Sequence, residues 1–242
     1  MDLVIVIFLL GGLFLGWSLG ANDAANVFGT AVGTRMIRFK TAAIVCGLFI
    51  ILGAVISGAG TTETLGKLGS INALPGAFAA CVSAGLAVYI MTKSGLPVST
   101  TQAIVGAIIG WNIYTGSSTN FKILFTILST WVLCPIITAL IAMLFFICMK
   151  KILKNTNWHI LRLDAYTRSA LLIAGAFGAY SLGANNIANV MGVFVPISPF
   201  TDISLSYFGT FSSTEQLFLL GGIAIAVGVF TYSKKVMFTV GN

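Results

Sequence analysis

The sequence has 242 residues, of which 57% are hydrophobic and 8% are charged, and its mean hydropathy is +1.01. A water-soluble domain keeps about a quarter of its residues charged. The composition therefore excludes soluble enzymes and nucleic-acid-binding proteins and predicts a protein that crosses a membrane several times. We interpret the net charge of +7 first as a signal of membrane orientation, because basic residues collect in cytoplasmic loops.

The apolar runs between polar loops predict about seven transmembrane helices in an all-α integral membrane fold. In chain order these runs cover residues 3–32, 41–58, 75–92, 98–115, 123–149, 169–195 and 216–232. The first and the sixth run are too long for one straight crossing, and each contains a polar Gly-Ala-Asn sequence, so we expect both to be broken helices. The fourth run opens with Pro97, three hydroxyl residues and Gln102, and a re-entrant hairpin would give a similar pattern.

The basic residues predict the orientation of these helices. If all seven runs cross, eleven Lys and Arg residues fall on one side, and only Lys67 and Lys122 fall on the other. This split places the C-terminus in the cytoplasm and the N-terminus outside the cell. It also favours a full crossing by the fourth run, because a re-entrant loop there would scatter the basic loops over both sides. We therefore expect a multi-pass protein of the cell membrane.

A twelve-residue sequence that begins at Ser18 recurs at Ser181 with nine identical positions, at a constant offset of 163 residues. The first copy lies in the first predicted helix and the second copy in the sixth. With the predicted topology the two copies cross the membrane in opposite directions, which makes them an inverted repeat. Inverted repeats are typical of secondary transporters, in which the substrate site lies between the two halves.

The repeated motif carries polar groups that suit a bound cation. Asn22, Asp23 and Asn26 supply oxygen ligands within about one helical turn, and Asp23 is the only carboxylate inside a predicted helix. A carboxylate at the bilayer centre costs about 2.5–3.5 kcal/mol, so it needs a cation, a proton or a basic partner. No predicted helix holds a basic partner, and we therefore expect Na⁺ or H⁺. The alternative is that these side chains only join helices by hydrogen bonds.

A second polar segment opens the fourth predicted helix, where Pro97 is followed by Ser99, Thr100 and Thr101. Pro97 disfavours helix at the residue before it, and Ser99 is the predicted N-cap. Three hydroxyls and the free amide groups of a helix N-terminus can hydrogen-bond a tetrahedral oxyanion without a fixed cation. The alternative is that Ser99 caps the helix while the threonines bond backward to carbonyl groups. Nothing in the sequence indicates an enzyme.

These motifs resemble those of the inorganic phosphate transporter family, in particular residues 20–33, residues 96–101 and the second Gly-Ala-Asn motif at Gly183. The resemblance implies a symporter that moves phosphate with Na⁺ or H⁺ by alternating access, without a resident cofactor. The cation ligands that it implies are Asp23, Asn22, Asn26, Asn186 and Asn189. The phosphate ligands that it implies are Asn22, Asn26, Ser99, Thr100, Thr101, Asn185 and Asn189.

The sequence departs from the family pattern in two ways that bear on function. The family usually carries Asp where this chain has Asn186, which leaves one carboxylate fewer for cations. We expect a first repeat at 1–149, a basic cytoplasmic loop at 150–168, and a second repeat at 169–242 that resembles a truncated one. The alternatives are a sulfate permease, or a non-transporting fragment or subunit whose site a second copy or another chain completes; the expected partners also include membrane lipid, but no nucleic acid.

Overall fold

The computed structural model describes residues 3–61, 74–154, 159–205 and 209–241. In this part of the chain there are eight α-helices and one short antiparallel ladder. The helices are α1 (Leu3–Gly33), α2 (Phe39–Ser57), α3 (Leu74–Ser94), α4 (Thr100–Thr115), α5 (Phe121–Lys154), α6 (Ile160–Met191), α7 (Ser213–Tyr232) and α8 (Lys234–Gly241). The ladder pairs β1 (Ile203–Leu205) with β2 (Gly209–Phe211) between α6 and α7. The helical membrane fold is thus confirmed, with this ladder as a small exception.

Six of the described helices are long and apolar enough to cross a membrane, namely α1, α2, α3, α5, α6 and α7. The remaining predicted crossing, the fourth run at 98–115, corresponds to α4, which has 16 residues. At 1.5 Å per residue this helix is about 24 Å long, shorter than the hydrocarbon core of about 30 Å. Lys67, one of the two lysines predicted outside the cell, lies outside the described residues.

Helices α3 and α4 form a hairpin whose turn lies beside the middle of α1. Gly76 near the start of α3 packs against Trp111 near the end of α4, so the two helices are antiparallel. The turn between them contacts Asn22 of α1. A re-entrant hairpin made of both helices returns to its starting side, as two full crossings would. The distribution of basic residues therefore does not separate these two arrangements, contrary to the expectation from the sequence.

The two copies of the repeated motif run in opposite directions, as the sequence predicts. Near the start of α1, Gly12 packs against Val190 of α6, whereas near its end Phe28 packs against Gly175. Residue numbers thus rise along α1 as they fall along α6, and the helices are antiparallel. The two motifs pass each other close to their centres, near Ala21 and Ala184.

The helix break that the sequence predicts within each motif is absent. α1 is one continuous helix through its motif, and α6 changes to a 3₁₀ turn only at Gly192, the last residue of its motif. The glycines instead allow close packing. The backbone carbonyl of Ile225 in α7 occupies the place where a Cβ of Gly20 would stand, and that of Ile50 in α2 does the same at Gly183. Gly20 and Gly183 thus bring neighbouring helices close to the motifs.

This packing predicts a large effect of a single methyl group at Gly20. We expect Gly20→Ala to destabilise the protein by about 1–3 kcal/mol, because the new Cβ meets rigid backbone. Gly106 in α4 is the matched control, since nothing lies within 4 Å of the place where its Cβ would stand. Gly106→Ala should be neutral or stabilise slightly, by up to about 1 kcal/mol. The measurement is the thermal unfolding midpoint in detergent, and equal midpoints for wild type and Gly20→Ala would contradict the close approach.

The helices that flank the basic segment at 150–168 are longer than the sequence predicts. α5 continues to Lys154, and α6 begins at Ile160 with His159 as its N-cap, so most of the predicted loop is helical. The Arg168 guanidinium donates to the Met36 carbonyl at 2.7 Å, which joins α6 to the turn after α1. None of the residues of α5 is buried, so its apolar surface is exposed along the helix. The division of the chain into two repeats stays a prediction.

Candidate functional site

The site is built around the turn that joins α3 to α4. Gly95 has a φ of +80°, a left-handed conformation that glycine adopts without strain, and it ends α3. Ser99 has extended backbone angles, and its Oγ accepts a hydrogen bond from the Gln102 amide at 3.3 Å. Ser99 is therefore the N-cap of α4, as predicted. The amide groups of Thr100 and Thr101 lie in the first turn, where a helix has no partner of its own for them.

Asn22 holds this turn against α1 by three hydrogen bonds. Its Nδ2 donates to the Thr92 hydroxyl at 2.8 Å and to the Leu96 carbonyl at 3.0 Å. Its Oδ1 accepts from the Val98 amide at 2.9 Å, and the residue is fully buried. Both amide protons of Asn22 are thus used within the protein. A direct role of Asn22 as ligand stays a prediction, and in this structure its side chain positions the turn.

Asp23 lies next to the start of α4 and is buried, with 6% of its surface exposed. Its Oδ1 accepts a hydrogen bond from the Thr100 hydroxyl at 3.3 Å. Among the described residues no basic side chain lies within 4.0 Å of this carboxylate, since the one ion pair there joins Arg168 to Asp164. A buried carboxylate without a basic partner attracts a cation or a proton.

A second line of hydrogen bonds joins α4 to the other copy of the motif. The Asn189 amide donates to the Thr101 hydroxyl at 3.0 Å and to the Asn186 Oδ1 at 2.9 Å. Asn186 in turn donates to the Leu182 carbonyl at 3.1 Å. Thr101 is an acceptor in this contact, and its own proton has no acceptor among the described residues. The start of α4 thus bridges the two motifs, through Thr100 on one side and Thr101 on the other.

Two of the predicted ligands, Asn26 and Asn185, are exposed. In the repeat, Asn185 corresponds to Asn22, and Asn26 corresponds to Asn189. The counterparts are buried, and both bond to the α3–α4 hairpin. Among the described residues, the α3–α4 hairpin thus packs against Asn22 and Asn189. No equivalent hairpin there contacts Asn26 and Asn185. The roles predicted for Asn26 and Asn185 stay predictions.

Sequence reasoning missed two residues at this site. The Thr92 hydroxyl accepts from Asn22 and donates to the Val88 carbonyl at 2.7 Å, so it helps Asn22 to hold the α3–α4 turn against α1. Ser18 opens the first motif, and its Oγ is buried without a partner among the described residues. Ser18 could have been found, because it belongs to the repeated motif. Thr92 could not, since only the folded hairpin brings it to Asn22.

The described residues contain no group of three or more His, Cys, Asp and Glu side chains that could hold a metal ion. A cation at this site would therefore depend on Asp23 together with hydroxyl, amide and carbonyl oxygens. Sodium accepts such neutral oxygens, as other hard cations do. Antiparallel motifs, a buried carboxylate and a helix N-terminus at their crossing define a class of protein, namely polytopic membrane transporters with inverted repeats.

Comparison with known proteins gives the family. Residues 19–242 match the model of the phosphate transporter family, and the chain belongs to that family. A Pyrococcus furiosus protein that carries the provisional name phosphate permease is 29% identical over all of this chain and 76% of its own length. The Arabidopsis thaliana chloroplast inorganic phosphate transporter 2-1 is 32% identical over 59% of this chain and 26% of its own length.

The fold is also similar to a solved structure, described as the sodium-dependent phosphate transporter. The TM-score is 0.75 at 25% sequence identity, and the match covers 99% of this chain and 78% of that one. The resemblance that the sequence motifs indicate is thereby confirmed, and so is the membrane-embedded helical fold.

Proposed function

We propose that this protein is a symporter that couples the movement of inorganic phosphate to Na⁺ across the cell membrane. The observation that carries the proposal is the bridge at the start of α4. One end of the bridge reaches a buried carboxylate, and the other end offers a hydroxyl and free amide groups to an anion. Membership of the phosphate transporter family and the similarity to a sodium-dependent phosphate transporter support the choice of both ions. H⁺ is the alternative coupling ion.

The cation would bind at Asp23. The Asp23 carboxylate already accepts the Thr100 hydroxyl, and the cation would take its remaining ligands from hydroxyl, amide and carbonyl oxygens. Because Asn186 stands in the second motif where the first motif has Asp23, the described residues offer one formal negative charge at the motif crossing. We expect the charge of the cation to be balanced there by Asp23 and by the phosphate itself.

The anion would bind at the N-terminus of α4. Backbone amides in the first turn of a helix carry partial positive charge and bind phosphate without a fixed cation. The hydroxyl proton of Thr101 has no acceptor among the described residues, so it is free to donate to a phosphate oxygen. The exposed hydroxyl of Ser99 lies at the same end of the helix. Neutral donors bind phosphate less tightly than a buried Arg would, which allows its release on the other side of the membrane.

Thr100 would couple the two ions. Its hydroxyl donates to Asp23 in this structure, so it is not available to an anion. When a cation neutralises Asp23, the pull of the carboxylate on this proton weakens, and the hydroxyl can turn toward phosphate. Cation binding would then raise the affinity for phosphate. Alternating access would follow from movement of the two repeats, 1–149 and 169–242, relative to each other.

The experiment that tests this function is uptake of labelled phosphate into proteoliposomes that contain only this chain. We expect uptake when Na⁺ is present outside and little uptake when choline replaces it. Labelled sulfate is the matched control substrate, and a pH gradient without Na⁺ tests the proton alternative. Uptake that is equal with Na⁺ and choline would contradict Na⁺ coupling, and the absence of phosphate uptake in every condition would contradict transport by this chain alone.

A further inference from the structure

The short helix α8 begins beside the middle of α1, close to the α3–α4 turn. Only Ser233 separates α8 from α7, and near the end of α7 Gly228 packs against the α1 backbone at Ala21. Further along, the Met237 carbonyl of α8 packs against Gly29. α7 and α8 thus follow α1 in the same direction, and the first residues of α8 lie at the level of α1 between these two contacts. That level contains the polar residues of the first motif.

The side chain of Lys235, in the first turn of α8, lies directly on the α3–α4 turn. A Cβ at Gly95 would stand 3.2 Å from the Lys235 Cε and 3.3 Å from the Thr239 hydroxyl, so the stem of Lys235 covers the residue that ends α3. The Lys235 ammonium donates to the Lys93 carbonyl at 2.7 Å. The two lysines are 142 positions apart in the sequence, and their contact joins α8 to the α3–α4 hairpin.

The Lys235 ammonium takes a place that the backbone of α3 leaves open. The amides of Gly95 and Leu96 donate back to carbonyl groups in the last turn of α3, which is the pattern by which a left-handed glycine ends a helix. The Lys93 carbonyl cannot be paired within the helix, because the residue four positions on is Pro97, which has no amide proton. A cation at this place also interacts favourably with the negative end of the helix dipole.

Two side chains from distant parts of the sequence thus hold the α3–α4 turn. Asn22 binds the Leu96 carbonyl and the Val98 amide, and Lys235 binds the Lys93 carbonyl. Asn22 belongs to the first predicted repeat and Lys235 to the second. The position of the turn therefore depends on both predicted repeats, and the turn leads directly into the first turn of α4.

We propose that Lys235 is a positioning residue for the anion site, whose ammonium group holds the α3–α4 turn where the first amides of α4 can bind phosphate. The inference rests on the proposed function, in which these amides and the Thr101 hydroxyl receive the anion. Lys235 acts through the turn and does not touch phosphate. A turn that is already held loses less conformational freedom when the anion binds. Without the Lys235 ammonium the turn adopts other positions as well, and the apparent phosphate affinity falls with the fraction of molecules that keep the competent one.

The test combines phosphate uptake with hydrogen exchange in the variant Lys235→Met. Methionine keeps an apolar stem on Gly95 but cannot donate to the Lys93 carbonyl. We expect the half-saturating phosphate concentration to rise about 3- to 10-fold, with a maximal rate and a thermal unfolding midpoint near those of the wild type. Without phosphate, the amides of Leu96 and Val98 should exchange with deuterium about 3- to 10-fold faster. Lys235→Arg keeps the charge and the donor and should restore both values.

Lys234→Met is the matched control, because Lys234 is the exposed neighbour of Lys235 in α8 and carries the same charge. This control should leave uptake and exchange unchanged. An equal rise of the half-saturating phosphate concentration in both variants would overturn the proposal, because the charge at the start of α8 would then attract the anion without positioning the turn. Unchanged phosphate dependence or unchanged exchange in Lys235→Met would also overturn it. If the wild type took up no phosphate, the proposed function would fail, and the exchange measurement would still decide whether Lys235 holds the turn.

Discussion

Replacing Asp23 by Asn is expected to abolish the Na⁺ dependence of phosphate uptake. The substitution removes the only carboxylate that the described residues place at the motif crossing, but it keeps the size of the side chain and its ability to accept the Thr100 hydroxyl. Removing one partner of a buried charge pair costs about 3–5 kcal/mol. We therefore expect the affinity for the coupling cation to fall by about 100-fold or more. Labelled phosphate uptake measured over a range of Na⁺ concentrations shows the effect.

Asp164→Asn is the matched control for this prediction. Asp164 is a half-exposed carboxylate in α6, and it pairs with Arg168 at 2.7 Å, four residues further along the same helix. Exposed pairs of this kind contribute about 0–1 kcal/mol to stability. The variant should therefore keep the uptake of the wild type. Wild-type Na⁺ stimulation in Asp23→Asn would show that the cation binds elsewhere.

Replacing Thr101 by Val is expected to raise the half-saturating phosphate concentration. Valine has the shape of threonine but can neither donate to the anion nor accept from Asn189. A hydrogen bond to a charged group contributes about 1.5–3 kcal/mol, so we expect an increase of about 10- to 100-fold. Adding Ser99→Ala and Thr100→Ala should increase it further. The measurement is uptake as a function of phosphate concentration at saturating Na⁺.

Thr115→Val in the last turn of α4 is the matched control for Thr101. The Thr115 hydroxyl is exposed, and it contacts the Trp111 carbonyl at 3.0 Å and the Ser117 hydroxyl at 2.9 Å, so its hydrogen bonds stay within the end of α4. The control should leave the phosphate dependence unchanged. If Thr101→Val also left it unchanged, the hydroxyls at the start of α4 would serve the helix alone.

The sequence predicts the helices well because the apolar runs are long and the turns between them are polar. Within a few residues, the predicted ends of the second and seventh runs agree with those of α2 and α7. The opposite directions of the two motifs also follow from sequence, since the second motif lies five predicted crossings after the first, and an odd number reverses the direction. Ser99 as N-cap follows from its place between Pro97 and an apolar helix.

What the sequence could not predict depends on which helices become neighbours. Gly20 and Gly183 fit a helix break as well as a close approach, and only the carbonyls of Ile225 and Ile50 decide between them. Asn22 has the side chain of a ligand, but the folded hairpin uses its hydrogen bonds. The sequence predicts the bounds of α4 within two residues, but hydroxyl residues at a helix start do not show how deep in the membrane the helix begins.

The central claim is that Asp23 and the start of α4 form one site in which cation and phosphate bind together. The most direct measurement is calorimetric titration of phosphate into the purified protein, in Na⁺ and in choline, together with titration of Na⁺ with and without phosphate. Because linkage is reciprocal, Na⁺ should raise the affinity for phosphate by the same factor by which phosphate raises the affinity for Na⁺. A phosphate affinity that is the same in Na⁺ and in choline would contradict the claim.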